Sequence, residues 1–165
     1  KFSWSSVSEH GMSSEEREAC KRRIAEAQEA ARKAQEVAHA EAGAKARTIW
    51  EKAGPASPDH PYLRRKGIGP VGDIRQYKNA LVVAVRSLDG QLHSLQFIGP
   101  EGKKRFLKDG KIKGTCAWIK GKEKILVCEG WATAVSLYLA TGYTVVCAFN
   151  AGNLGEVVEK LWAKR

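Results

Sequence analysis

Lys124-Ile-Leu-Val-Cys-Glu-Gly-Trp131 decides how this chain folds. The apolar run reads as a buried parallel strand, and it ends in an acid followed by a glycine. Glu129 therefore stands at a strand exit, the edge where open α/β sheets hold their ligands. Gly130 lets the backbone turn tightly, and Trp131 to Ala140 then reads as a helix. A second unit follows, with a strand over Tyr143–Phe149, the turn Asn150-Ala-Gly-Asn153 and a helix from Leu154 to Trp162. The pattern is β-α-β-α with a carboxylate where the first strand emerges.

Upstream, Leu81–Ser87, Gln91–Ile98, Lys103–Leu107 and Thr115–Ile119 read as short strands. Asp89-Gly90, Gly99-Pro-Glu-Gly102 and Asp109-Gly110 supply turn chemistry between them, so the four are expected to form an antiparallel meander. Ser13 through Ala53 reads as one long helix dominated by Ala, Glu, Lys, Arg and Gln. Ser13 and Glu16 fit a capping box, and Gly54-Pro55 supplies the stop. Glu18/Arg22, Glu29/Lys33 and Glu41/Lys45 have the favourable i,i+4 order. With Ile24, Val37, Ile49 and Trp50 as its main bulky apolar residues, the helix is expected to be a solvated arm docked by its Ile49-Trp50 end. Gly43 is its expected weak point, and the first dozen residues are expected to be disordered. Ala56-Ser-Pro-Asp-His-Pro61 forms a proline-punctuated joint.

The fold class is accordingly α+β. The expected organisation is a helical arm over residues 1–57, an antiparallel β subdomain over 58–123 and a partial α/β unit over 124–165.

Composition narrows the function. The net charge is +10 in 165 residues. Residues 1–57 hold 10 Lys/Arg against 9 Asp/Glu, so the basic excess lies almost wholly in 58–165. Such an excess favours polyanions, with nucleic acid ahead of a membrane surface because no amphipathic anchor accompanies it. No apolar run approaches the ~18–20 residues of a membrane span. Cys20, Cys116, Cys128 and Cys147 lack C-x-x-C spacing and zinc-distance histidine partners, which argues against zinc. Cys128 and Cys147 lie in apolar strands that could be neighbours, which leaves a disulfide open, but buried free thiols in a reducing cytoplasm are the expectation.

The segments His60-Pro-Tyr-Leu-Arg-Arg-Lys-Gly67, Ser94-Leu-Gln-Phe-Ile98, Lys103-Lys-Arg-Phe-Leu107, Cys128-Glu-Gly130 and Ala148-Phe-Asn-Ala-Gly-Asn153 carry a resemblance. In that order they resemble phage- and plasmid-type DNA primases, and the last two resemble the first half of a Toprim domain. The resemblance implies RNA-primer synthesis on single-stranded DNA by nucleotidyl transfer dependent on Mg²⁺ or Mn²⁺. It makes Glu129 the first carboxylate of the catalytic cluster, as metal ligand or general base, with Gly130, Asn150 and Gly152 lining the site. A Toprim site also needs an Asp-x-Asp pair on a third strand, and the chain stops at Arg165 before it. The expectation is therefore a piece of a longer primase, inactive alone, with an open sheet edge along which it could self-associate. Single-stranded DNA and nucleoside triphosphates are the implied partners, with a replicative helicase a further candidate.

Six basic residues, Lys103, Lys104, Arg105, Lys108, Lys111 and Lys113, crowd one stretch around Phe106. An aromatic among cations suits single strands, since bases stack while cations track phosphates. By resemblance Arg86, Lys104, Arg105, Lys111 and Lys113 are the leading contacts. Blander readings exist for each feature. A glutamate at a helix start is favoured by the helix dipole, and lysines protect an edge hairpin from aggregation. Asn153 followed by Glu156 reads as an N-cap, while Trp131 and Trp162 read as core anchors and His60 as structural. Two other functions stay in view: a non-catalytic nucleic-acid-binding module, and another Toprim enzyme such as a nuclease or topoisomerase.

Overall fold

The computed structural model describes residues 13–164. Helix α1 spans Ser14–Lys52 and starts at the expected capping box. The Ser13 N–H donates to Glu16 Oε2 at 2.8 Å, and the Glu16 N–H donates to Ser13 Oγ at 3.2 Å. The chain divides into two compact units between residues 37 and 38, within this helix. In the first unit the helix is lined by ion pairs. Arg32 joins Glu29 (2.8 Å) and Glu36 (2.9 Å), and Lys33 approaches Glu29 at 3.6 Å. Glu18 pairs with Lys21 rather than Arg22. Ile24 and Val37 are exposed. The expectation for the first dozen residues lies outside the described ones.

In the second unit the rest of α1 is docked over more of its length than its Ile49-Trp50 end. Ala42, Gly43, Ala46 and Trp50 are all buried. Gly43 is no weak point: small residues at 42, 43 and 46 let the helix approach a strand closely, and a side chain at 43 would lie 3.5 Å from the Leu92 carbonyl. The Arg75 guanidinium stacks over the Trp50 ring at 4.5 Å and donates to the Trp50 carbonyl at 2.8 Å. One cation thus satisfies a helix-end acceptor and covers its aromatic anchor.

Seven further strands and helices precede the α/β unit: β1 (Gly54–Pro55), α2 (Pro61–Lys66), β2 (Ile74–Tyr77), β3 (Ala80–Arg86), β4 (Leu92–Ile98), β5 (Lys104–Phe106) and β6 (Ala117–Ile119). The antiparallel sheet has the order β1-β2-β3-β4-β5. Its centre is β3, whose Leu81, Val83 and Val85 enter one core while Val82 and Ala84 enter another. Both faces are covered, so the strand reads as a continuous apolar run rather than an alternation. His60 caps α2: its Nδ1 accepts from the Tyr62 N–H at 3.3 Å, and its Nε2 lies 3.1 Å from the Asn79 carbonyl. Its role is structural, as read from the sequence.

The last elements are β7 (Lys122–Cys128), α3 (Trp131–Thr141), β8 (Tyr143–Cys147) and α4 (Ala151–Ala163). β7 and β8 are parallel, joined through α3 as expected, but β7 is an edge strand with no fully buried residue rather than the buried strand its apolar run suggests. The fourth meander strand belongs elsewhere. β6 pairs antiparallel with β8, giving a second sheet of order β6-β8-β7. A single bridge, Arg86 to Cys116, links the two sheets at that point. One face of the second sheet carries α3 and packs through Val145, Cys147, Trp131 and Val135 onto Leu81, Val83 and Ile98 of the first. The other face meets α4 through Val146, Ala148 and Val157, whereas Trp162, expected as a core anchor, is 73% exposed.

Candidate active site

β7 delivers its carboxylate where the sequence pattern places it. The Ala148 N–H donates to the Cys128 carbonyl at 2.8 Å, the last rung between β7 and β8. The next residue, Glu129, is exposed. Its backbone is held, because the Cys147 thiol donates to the Glu129 carbonyl at 3.4 Å. Among the described residues its side chain makes no hydrogen bond or ion pair. Gly130 follows in extended conformation (φ −119°, ψ 141°) as the N-cap of α3, without a side-chain cap. Trp131 is 1% exposed and anchors α3 in the core. The carboxylate is therefore fixed at its root and free at its tip.

β5 lies over this exit. Lys104 and Phe106 point toward the α/β unit, on the face they share with Ile98 and Gln96 through strand register. Lys104 Nζ is 3.8 Å from the position a Cβ on Gly130 would take. The Phe106 ring meets Phe149 edge-to-face with centroids 5.7 Å apart. Phe149 adopts φ 71°, a left-handed conformation that costs a bulky residue energy. Its packing against Phe106 and the core holds that bend, and the bend turns the chain from β8 into α4. Asn150, the N-cap of α4, and Gly152 are exposed beside it, and Asn150 makes no side-chain cap.

Asn153 does something other than capping. Helix α4 begins two residues earlier, so Asn153 lies inside it and is buried. Its Oδ1 accepts from the Gly114 N–H at 2.7 Å, while its Nδ2 lies 2.8 Å from the Thr115 carbonyl and 2.9 Å from the Ala148 carbonyl. One amide thus ties the segment before β6 to the end of β8. Sequence reasoning missed this brace; the available signal was a polar residue on the face that packs against the sheet.

The basic residues are dispersed. Lys104 alone of the predicted set is brought to Gly130. Arg105 falls on the opposite face of β5, and Lys103 lies in the turn before it; both are exposed. Arg86 sits at the far end of the sheet. Register pairs Lys104 with Ile98 and Ile98 with Leu81, five residues from Arg86, or about 17 Å of strand. There Arg86 pairs with Asp73 at 3.0 Å, donates to the Gly90 carbonyl at 3.1 Å and lies over Trp50 at 5.6 Å. Lys108, Lys111 and Lys113 follow β5 in the connection to β6.

Burial sets the thiol chemistry. It pushes Cys147 up to about 12 and Cys116 up to about 11. Cys128 is raised as well, by burial and by the adjacent Glu129 charge. All four cysteines are free, and the three in the core are protonated at neutral pH. Among the described residues no group of three or more His, Cys, Asp or Glu side chains could hold a metal. The residues present therefore do not by themselves fit a Mg²⁺ site, which needs several oxygen ligands. No described helix is long and apolar enough to cross a membrane. A cavity of about 800 Å³ runs along β6 between Asp73, Arg86, Trp118 and Tyr138 and includes neither Glu129 nor Asn150.

These features define an α+β protein whose candidate site is a carboxylate at a parallel-strand exit, overlain by a basic strand of an antiparallel sheet. In sequence the chain resembles a segment of plasmid-type DNA primases. It is 33% identical over 120 residues to a DNA primase TraC of Escherichia coli, covering 67% of this chain and 11% of that protein. A second DNA primase TraC of Escherichia coli is 32% identical over 112 residues, covering 63% of this chain and 8% of the relative. The chain thus spans about a tenth of the length of the curated relatives it matches. No family model matches. No solved structure matches significantly either.

Proposed function

We propose that this chain is the part of a plasmid-type DNA primase that contributes Glu129 to a nucleotidyl-transfer site making RNA primers on single-stranded DNA. The observation that carries the reading is Glu129, rooted by β7 and β8 and free at its tip, with Lys104 over the adjoining Gly130. Similarity to two DNA primases supports it. Glu129 would supply one carboxylate to a site for Mg²⁺ or Mn²⁺, whose further ligands the described residues do not provide. Lys104 faces the phosphates of an incoming nucleoside triphosphate, where a mobile ammonium offsets negative charge. Gly130, Asn150 and Gly152 give the substrate close access to backbone. By itself the chain does not synthesise primers, and it associates along the outer edge of β7, an edge strand with no partner on that side among the described residues.

The test is primer synthesis on single-stranded DNA by the whole primase that contains this segment. Glu129→Gln is expected to lower synthesis by two orders of magnitude or more while leaving the melting temperature and single-strand binding unchanged. Undiminished synthesis by Glu129→Gln overturns the catalytic assignment. A folded wild-type protein that binds single strands but makes no primer favours the binding-module reading instead.

A further inference from the structure

The geometry points to a phosphate-binding track for single-stranded nucleic acid, formed by Lys111, Lys113, Lys160 and Lys164 around the Gly114 backbone. It deepens the reading above, on which it rests for the identity of the polyanion. Three segments distant in sequence build it: the turn after β3, the connection between β5 and β6, and the carboxyl-terminal half of α4. They border an open groove of about 340 Å³ that includes Ser87, Asp89, Lys111, Gly114, Lys160 and Lys164. That volume lies within the range of small-ligand sites and can seat a phosphate with its sugar.

The track is pre-organised by the Asn153 brace, which clamps Gly114 and Thr115 to α4. With the segment so held, Lys113 Nζ lies 3.4 Å from Glu156, and Lys160 Nζ lies 3.3 Å from the other oxygen of the same carboxylate. Gly114 has φ +70°, a left-handed conformation that favours glycine, and the Lys160 ammonium lies over its bare backbone. Lys164, the C-cap of α4, is four residues beyond Lys160, about 6 Å away.

The four lysines face two acids. Glu156 stays ionised because its lysine partners hold its carboxyl below the usual range. Asp89 is lowered chiefly by its hydrogen bond from Ser87, with Lys164 adding to the effect. The positive field extends beneath the rim: His93 is lowered first by burial and then by Lys111, with His39 and Lys160 acting the same way and Asp89 opposing. Glu156 acts as an internal counter-ion that a phosphate displaces, so the lysines are positioned before the ligand arrives.

The brace also reaches the second sheet: Asn153 bonds to the Ala148 carbonyl, and the Ala148 N–H bonds to the Cys128 carbonyl, one residue before Glu129.

The test is fluorescence anisotropy of a labelled 20-nucleotide oligothymidylate with this chain between 25 and 200 mM NaCl. Lys160→Gln/Lys164→Gln should weaken binding several-fold and reduce the salt slope by about 1.4, or about 0.7 per lost phosphate contact. Glu156→Gln should tighten binding more than Glu159→Gln, which removes an exposed carboxylate from the same helix. Lys122→Gln serves as the control for removing a lysine elsewhere. The inference is overturned if the double variant changes affinity and slope no more than that control, or if the wild-type chain fails to bind at 25 mM salt. Primer synthesis by the whole primase reads the catalytic assignment and oligonucleotide binding by this chain reads the track, so the two failures are distinguishable.

Discussion

The two sheets answer different demands. The five-stranded sheet has a core on each face, with Leu81, Val83 and Val85 on one side and Val82, Ala84, Leu92 and Leu95 on the other. The three-stranded sheet is also covered on both faces, yet its β7 edge is unpaired among the described residues, and Ile125 and Val158 are exposed beside it. Burial stabilises roughly in proportion to apolar area removed from water, so the first sheet carries more of the stability. The second carries the chemistry, because parallel strands bring their carboxyl ends to one edge. The lesson is a division of labour: a sheet sealed on both faces holds Lys104 and Phe106 over the exit of a sheet that is less complete.

The largest expected effect lies in the sealed sheet. Leu95→Ala is expected to cost about 2–5 kcal/mol by urea denaturation, since Leu95 is fully buried. If it costs no more than a change beside β7, the contrast between the sheets fails. At the seam, Asn153→Ala strands a buried Gly114 N–H and should cost about 1–3 kcal/mol. That variant also loosens the lysine track, so its loss of oligonucleotide affinity should exceed its effect on the fold.

Between those lies an alkaline transition. A thiol raised in the folded state stays protonated while the unfolded thiol ionises, so the folded state holds more protons and stability falls as pH rises. The contribution of Cys147 is fully present below pH 9.0 and lost as pH climbs toward about 12, with Cys116 acting from 9.0 toward about 11. The slope should be about 1.4 kcal/mol per pH unit per thiol within that window. Denaturation curves of wild type and Cys147→Ala at pH 8, 9.5 and 10.5 measure it; parallel curves would show that the thiol is not buried as described. Smallest of all, Val158→Lys is expected to change stability by about 0.5 kcal/mol or less, because the side chain is 45% exposed. The same variant should reduce self-association in sedimentation velocity, whereas unchanged association would move the contact away from the β7 edge.

Much of this was legible in the sequence. The capping box at Ser13 and Glu16, the β-α-β-α order after Lys122 and the exit position of Glu129 follow from local signals: a cap, an apolar run and a glycine. The places where reading and structure part are long-range. Thr115–Ile119 has strand character, but nothing within it says that its partner is β8 rather than the preceding hairpin. Helix α4 starts at Ala151 because Asn150 is extended, and Asn153 then turns inward as a brace. The basic run looked like one patch because its residues are adjacent in sequence; strand alternation sends Lys104 and Arg105 to opposite faces, and the chain leaves β5 before Lys108.

By itself the sequence determined which segments are helix or strand, where the excess positive charge lies, and that an acid stands where a parallel strand ends. Those properties depend on residues a few positions apart, whose propensities and periodicity act locally. Only the tertiary structure decided that Lys104 overlies Gly130, that Arg86 is spent on Asp73 and Trp50, and that Lys160 joins Lys113 around Glu156. Those neighbours are set by sheet register and by one buried amide, which act between residues far apart in the chain and leave no mark on local composition.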